Sequence, residues 1–164
     1  MNAHALQHPG SARAHRSRAA GLVRVGDVAA ALALLPRDYA LLCEAGSLYK
    51  RQRRLDRAEP LLAAAVQAAP DRPLAYRLLG EVYLLAGDGK SAHRTALAGL
   101  ARWGADHDLW AIVSESYVAK GDLAAAVRAR EAAMARDSSS LGDRTRLAEL
   151  LDAQSRAPVT GTAP

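Results

Sequence analysis

The stretch PLAYRLLGEVYLLAGDGKSA, residues 73–92, sets Leu-Gly within an apolar run and ends that run at a second glycine. Sliding the sequence by 34 residues brings the same residue types back at several positions. These positions are Gly46 with Gly80; Tyr49, Tyr83 and Tyr117; Ala58, Ala92 and Ala126; Gly87 with Gly121; and Tyr76 with Trp110. One fixed period across several residue types is typical of a helical repeat array.

The composition favours the same fold class. Half of the residues are hydrophobic, only 4% are aromatic, and Phe is absent. The apolar residues are mostly Ala and Leu, which prefer helices to strands. The chain is therefore predicted to be all-α, with a core made of many small contacts between helices that approach closely.

The recurring residues resemble the tetratricopeptide repeat, whose pattern is a large residue, Leu-Gly, Tyr, Ala, a later small residue and Pro. Three units follow, at 39–72, 73–106 and 107–140. The resemblance implies a right-handed α-solenoid of three helix pairs. Four positions depart from the pattern, because Arg53 replaces a turn glycine, Arg130 replaces an apolar residue, and Gly104 and Ser138 replace the closing Pro.

The flanking segments predict caps and tails. Residues 18–38 predict an N-terminal helical half-repeat, and residues 141–154 match only the first helix of a fourth repeat, as a C-terminal capping helix does. Residues 1–17 and 155–164 are rich in Ser, Pro, Gly, Thr and His. We expect these two segments to be a disordered basic arm and a disordered tail.

Small and turn-forming residues are placed as helix pairs require. Close approach of paired helices is predicted at Gly46, Gly80 and Ser114. Gly87 and Gly121 are suited to the left-handed conformation that ends a helix, and the aspartate after each is suited to cap the next one. In the first repeat, Asp56 with Glu59 is expected to cap instead.

No motif points to catalysis, a cofactor or a metal. The run Gly89-Lys90-Ser91 lacks the leading glycine and the strand of a phosphate-binding loop. The run Asp106-His107-Asp108 falls at a turn between repeats, where acids cap helices. Cys43 is the only cysteine, and no base with an orienting group accompanies it. We therefore predict that the protein is not an enzyme.

The net charge of +5 is concentrated in two places. Residues 1–18 hold three arginines and no acid, and residues 50–57 hold five cations and one acid, so the rest of the chain is slightly acidic. Two local patches do not make the continuous basic stripe of a nucleic-acid groove, and RNA binding is disfavoured.

No export signal or membrane span is evident, and the excess of Arg over Lys resembles high-GC bacterial proteins. A cytoplasmic location is expected.

The resemblance also implies a binding surface, because tetratricopeptide arrays bind partners on the concave face formed by the first helix of each repeat. The residues predicted to contact a partner are Cys43, Ser47, Lys50, Arg51, Arg77, Leu78, Glu81, Leu84, Leu85, Asp108, Ile112, Glu115 and Val118. They grade along the chain from cationic through apolar to acidic, which suits an extended or helical peptide held in one direction.

The sequence thus predicts a protein–protein interaction module, an adaptor or scaffold that binds a peptide or helix of another protein. A small chaperone of the type III secretion class and an accessory subunit of an enzyme complex are the alternatives, and self-association is a further option. The residues that clamp a carboxy-terminal peptide in Hsp90 and Hsp70 co-chaperones are replaced, by Cys43 and Ser47 in the first repeat and by Arg77 and Glu81 in the second.

Overall fold

We describe the protein from a computed structural model, in which residues 9–157 are described. Within that range the chain forms helices and no strands, which confirms the all-α prediction for these residues. The helices are α1 (Pro9–Arg24), α2 (Val28–Leu34), α3 (Tyr39–Arg51), α4 (Leu55–Ala68), α5 (Pro73–Leu85), α6 (Gly89–Leu100), α7 (His107–Val118), α8 (Leu123–Met134) and α9 (Leu141–Arg156). None of these helices is both long and apolar enough to cross a bilayer.

The helices follow the period of the sequence. One series, α3, α5 and α7, begins at Tyr39, Pro73 and His107, and the other, α4, α6 and α8, begins at Leu55, Gly89 and Leu123. Both series advance by 34 residues at each step. The predicted register therefore sets the start of each of these six helices.

Three turns between these helices share one backbone geometry. Gly87 and Gly121 both have φ +77°, in the left-handed region, and Arg53 has φ +60° at the equivalent position. In each turn the backbone N–H of the following residue donates a hydrogen bond to the backbone carbonyl oxygen of a tyrosine five residues before it, at 2.9–3.0 Å. A non-glycine residue in this conformation costs about 1 kcal/mol, so the first turn carries strain that the other two avoid.

The aspartate caps form at two of these turns but not at the first. Asp88 accepts a hydrogen bond from Ser91 N at 3.0 Å, and Asp122 accepts one from Ala125 N at 2.9 Å. Helix α4 has Arg54 at the capping position and no side-chain cap, so the prediction for Asp56 is wrong. Because α4 already begins at Leu55, Asp56 lies inside its first turn, too late to be the residue that precedes the helix.

The predicted basic arm is helical over much of its length. Helix α1 begins at Pro9, so residues 9–17, expected to be disordered, are part of a helix, while residues 1–8 lie outside the described residues. Two contacts explain the difference. Ala19 and Val23 are buried in a cluster with Val28, and Arg16 pairs with Asp38 at 3.1 Å. At the other end, helix α9 includes Ser155 and Arg156, which were expected to belong to a disordered tail, and residues 158–164 of that tail lie outside the described residues.

The chain divides into two compact units after Val82, which we call unit 1 (residues 1–82) and unit 2 (residues 83–164). The core of unit 1 is built around the pairing of α3 with α4. A β-carbon added at Gly46 would lie 2.5 Å from Cγ of the fully buried Leu62. In unit 2 the equivalent residue is Ser114, whose hydroxyl is buried and donates to the carbonyl of Ala126 on α8 at 2.8 Å. Close approach at Gly46 and Ser114 agrees with the sequence prediction.

We expect Gly46→Ala to lower the free energy of unfolding by about 1–3 kcal/mol, because the added methyl group overpacks the contact with Leu62. Urea denaturation followed by circular dichroism measures the change.

The matched control is Gly21→Ala in α1, where the same added carbon has no heavy atom within 4 Å. Alanine is the better helix former, so this variant should gain up to about 1 kcal/mol. If Gly46→Ala is as stable as the parent protein, the pairing of α3 with α4 is not the one described.

Candidate functional site

Unit 1 contains an open depression of about 450 Å³ on one face of α3 and the first half of α5, which we call the groove. Its α3 residues follow the spacing of one helix face, and α5 adds residues one turn apart. The lining residues are Tyr39, Ala40, Cys43, Glu44, Ser47, Arg72, Leu74 and Leu78. Most of the surface is therefore apolar, with single polar groups between apolar side chains, as in many binding sites.

Tyr39 organises one end of the groove. Its hydroxyl accepts a hydrogen bond from the backbone N–H of Ala75 at 3.3 Å, which ties the start of α3 to α5. The Arg72 guanidinium lies 4.9 Å from the centre of the Tyr39 ring, within cation–π distance. The groove therefore has one rigid, cationic end.

Cys43 lies in the floor of the groove and is buried. Burial raises the pKa of its thiol, although the hydrogen bond with Tyr39 and the charge of Arg72 oppose the shift. A raised pKa keeps the thiol protonated near neutral pH, which makes it a poor nucleophile. Cys43 is thus suited to shape the groove rather than to react.

A second depression of about 450 Å³ shares Tyr39, Ala40 and Arg72 with the groove and adds Ala69, Arg37 and the ion pair of Arg16 with Asp38. Sequence reasoning missed these cationic residues as site residues. Arg16 lies in the segment that the sequence predicts to be disordered, and Arg37 and Arg72 lie just before α3 and α5, outside the helix positions that the repeat pattern assigns to the binding face.

The predicted contact residues of unit 1 divide into three groups. Cys43, Ser47 and Leu78 line the groove together. Lys50 is ion-paired with Glu81, so these two predicted charges neutralise each other. Arg51 is exposed and Arg77 is half-buried.

The predicted contact residues of unit 2 are largely engaged in its own packing. Leu84 is half-buried and Leu85 is exposed, both on α5. Ile112 is buried, and Val118 packs on the cluster of Ala126, Val127 and Leu150, to which α9 contributes. Asp108 accepts a hydrogen bond from Nδ1 of the adjacent His107 at 3.0 Å. Glu115 belongs to an ion network described next.

The network joins α7, α8 and α9. Arg130 is buried and donates from Nη1 to Asp143 and from Nη2 to Glu115, both at 2.5 Å. Arg146 binds the other oxygen of Glu115 at 2.7 Å, and Nε2 of His107 donates to Asp143 at 2.6 Å. Arg130 stands where the repeat pattern has an apolar residue, and a charge there requires buried partners. That departure was the sequence signal for this network, but it did not identify the partners.

Two carboxylates favour the charged form of His107. Burial disfavours the imidazolium, but hydrogen bonds and attraction from Asp108 and Asp143 outweigh it, and the pKa of His107 is raised. Burial also opposes the charged forms of Glu115 and Asp143, yet their bonds to Arg146 and to Ser140, His107 and Arg130 lower both pKa values. These acids therefore stay ionised while His107 titrates.

We expect His107 to make stability fall as pH rises above its unfolded pKa. Because its pKa is raised on folding, its contribution is complete below the unfolded pKa, near 6.5, and is lost as pH rises through the folded pKa. Urea denaturation of the parent and of His107→Gln at pH 6 and pH 9 measures this term. The stability difference between the two proteins should be larger at pH 6.

Comparing parent with variant cancels the titration of the other histidines, including His93, whose pKa is lowered by burial and by Lys120. A difference that stays constant or grows towards pH 9 would show that His107 is not bound as described.

Two motifs of the sequence have structural roles. In the run Gly89-Lys90-Ser91, the backbone N–H of Ser91 donates a hydrogen bond to the Asp88 carboxylate. In a phosphate-binding loop, such an N–H would instead donate to a phosphate. Asp106 caps α7 by accepting from Leu109 N at 3.0 Å. Among the residues that the structure describes, no three His, Cys, Asp or Glu side chains form a group suited to a metal ion.

Short helices in a fixed register, with glycine or serine at the close contacts, define a helical repeat protein. Residues 49–115 match the family model described as tetratricopeptide repeat. This match confirms, over that segment, the resemblance noted in the sequence. A search of curated proteins found no match.

Solved structures are similar to the chain over most of its length. The first tetratricopeptide domain of human RPAP3 is 17% identical with a TM-score of 0.70, covering 73% of this chain and 94% of that chain. MamA from Desulfovibrio magneticus RS-1, from residue 41 to its end, is 19% identical with a TM-score of 0.72, covering 88% and 85%. The first tetratricopeptide domain of Spaghetti (RPAP3), bound to the HSP90 peptide SRMEEVD, is 16% identical with a TM-score of 0.67, covering 71% and 93%. At these identities the likeness shows the fold.

Proposed function

We propose that the protein is a non-catalytic interaction module that binds a peptide or helical segment of another protein in the groove of unit 1. The observation that carries the proposal is the groove itself, an apolar depression formed by the faces of two helices with a fixed cation at one end. A similar fold binds a peptide in the RPAP3 complex, which supports a protein ligand.

The side chains of the groove suit an apolar ligand segment. Leu74 is 43% exposed although it is a large apolar residue, and Leu78 stands one turn further along α5. Covering such a side chain with a partner removes apolar area from water, which stabilises a complex by about 25 cal/mol for each Å². We infer that the apolar part of the ligand packs on these leucines.

The cations near the groove suit an acid on the ligand. Arg72 is held over Tyr39, and Arg37 lines the neighbouring depression. Oppositely charged groups at a binding surface orient the partner and raise its association rate. The role that fits best is an adaptor or scaffold that holds a partner by a short segment.

We expect Leu74→Asp to weaken peptide binding at least tenfold. The substitution removes apolar contact worth about 1.5–3 kcal/mol when fully buried, and 1.4 kcal/mol corresponds to a factor of ten. Leu74 is the second residue of α5, where an acid suits the helix dipole, so the fold should be retained. The measurement uses fluorescence anisotropy with peptides selected from a random library on the full chain.

The matched control is Leu151→Asp on α9, because Leu151 is 47% exposed but lies outside the groove. Peptides that bind the groove should tolerate this control. The proposal fails if the library yields no binder, or if every selected peptide binds Leu74→Asp as tightly as it binds the parent protein.

A further inference from the structure

Unit 2 has a concave apolar surface of its own, which we call the cleft. It has a volume of about 370 Å³ and lies among side chains of α6, α7 and α8. The lining residues are Leu97, Trp110, Val113, Tyr117, Ala125, Arg128, Ala129 and Ala132. The volume is near the lower end of the range for ligand pockets, about 300–1,000 Å³, so the cleft suits a few side chains rather than a whole helix.

The cleft exists because α8 presents mainly alanine side chains to it. Ala125, Ala129 and Ala132 follow one face of α8, at spacings of four and three residues. Their methyl groups leave space between α8 and the aromatic rings of α7. Leu97 is 44% exposed at the edge of this space and adds apolar surface to it.

The edge of the cleft is cationic. Arg128 is exposed and is the charged residue among those that line it. The Arg136 guanidinium lies 5.3 Å from the centre of the Trp110 ring, and Nζ of Lys120 lies 5.1 Å from the centre of the Tyr117 ring. These cation–π contacts place two more positive charges beside the apolar surface.

The cleft and the ion network of α9 lie on different sides of α7. Val113 and Tyr117 are each two residues from Glu115, which places them about 200° around α7 from the residue that binds Arg130 and Arg146. The ion network and the cleft therefore use opposite sides of the helix. A ligand in the cleft leaves the ion pairs of α9 intact.

We propose that the cleft is a second docking site, separate from the groove, for a protein segment with one or two large apolar side chains next to acidic residues. The apolar side chains fill the space above the alanines and cover Leu97. The acidic residues meet Arg128, Lys120 and Arg136. Charge complementarity thus selects an acidic partner over a neutral one.

A nucleic acid fits this surface less well. Single strands bind by stacking bases on aromatic rings. In the cleft, Arg136 lies over Trp110, and Tyr117 is flanked by Lys120 and by His93, whose ring meets it edge-on at 4.9 Å. Bases would have to displace these contacts, whereas an apolar side chain enters between the helices without disturbing them.

The test uses peptides that are selected from a random library for binding to the full chain. Each peptide is then classified by how tightly it binds variants of the protein. Peptides bound at the cleft should bind at least tenfold more weakly to Leu97→Asp and to Arg128→Glu, and should bind Leu74→Asp as they bind the parent. Both changed residues are exposed, so thermal melting should show intact folding. Arg102→Glu, at an exposed position outside the cleft, is the charge-matched control and should leave these peptides unaffected.

Peptide chemistry gives a second readout. The selected peptides should carry Asp or Glu beside Leu, Phe or Trp, and replacing those acids with Lys should restore binding to Arg128→Glu. The proposal is wrong if no peptide is sensitive to Leu97→Asp, if the sensitive peptides lack acids, or if single-stranded oligonucleotides compete for the cleft more strongly than these peptides. Peptides that bind the groove are identified by their weaker binding to Leu74→Asp. Failure of the proposal for the cleft can therefore be distinguished from failure of the proposal for the groove.

Discussion

Leu62 occupies the space that a side chain at position 46 would need. Helices α3 and α4 approach closely because glycine stands at that position, and the serine at position 114 allows a similar approach by bonding its hydroxyl to the carbonyl of Ala126. With so few aromatic residues, the chain gains its burial from many such short contacts. The position of α3, and with it the face that lines the groove, depends on this pairing.

Small residues also determine where the surface is open. The alanines of α8 leave the cleft beside Trp110 and Tyr117, and Ala40, Cys43 and Ser47 leave the groove along α3. Charged residues do the opposite, because they fix elements in place. Arg130 and its acidic partners hold α9, and Lys50 binds Glu81 within unit 1. Apolar surface therefore stays exposed where side chains are short, whereas the long charged side chains named above form ion pairs within each unit.

The parts of the structure that repeat were predictable from the sequence. The period gave the starts of six helices, the turn glycines and the close contacts at Gly46 and Ser114, because each depends on a local pattern that recurs. The parts that were missed depend on single pairings. The helix over residues 9–17 continues into the buried Ala19 and Val23 and places Arg16 against Asp38, and the partners of Arg130 come from helices on either side of α8 in the chain. The pairing of Lys50 with Glu81 likewise joins different helices, so the predicted charge gradient of the binding surface was incomplete.

The most direct test of this account is a nuclear Overhauser measurement on protein with labelled leucine methyl groups. The described packing places the α-protons of Gly46 against the side chain of Leu62, so a strong cross-peak to at least one Leu62 methyl group is expected. That cross-peak reports the register of α3 on α4 without any substitution. If Gly46 shows no cross-peak to Leu62, the helices pair in another register and the groove built on α3 is not the one described.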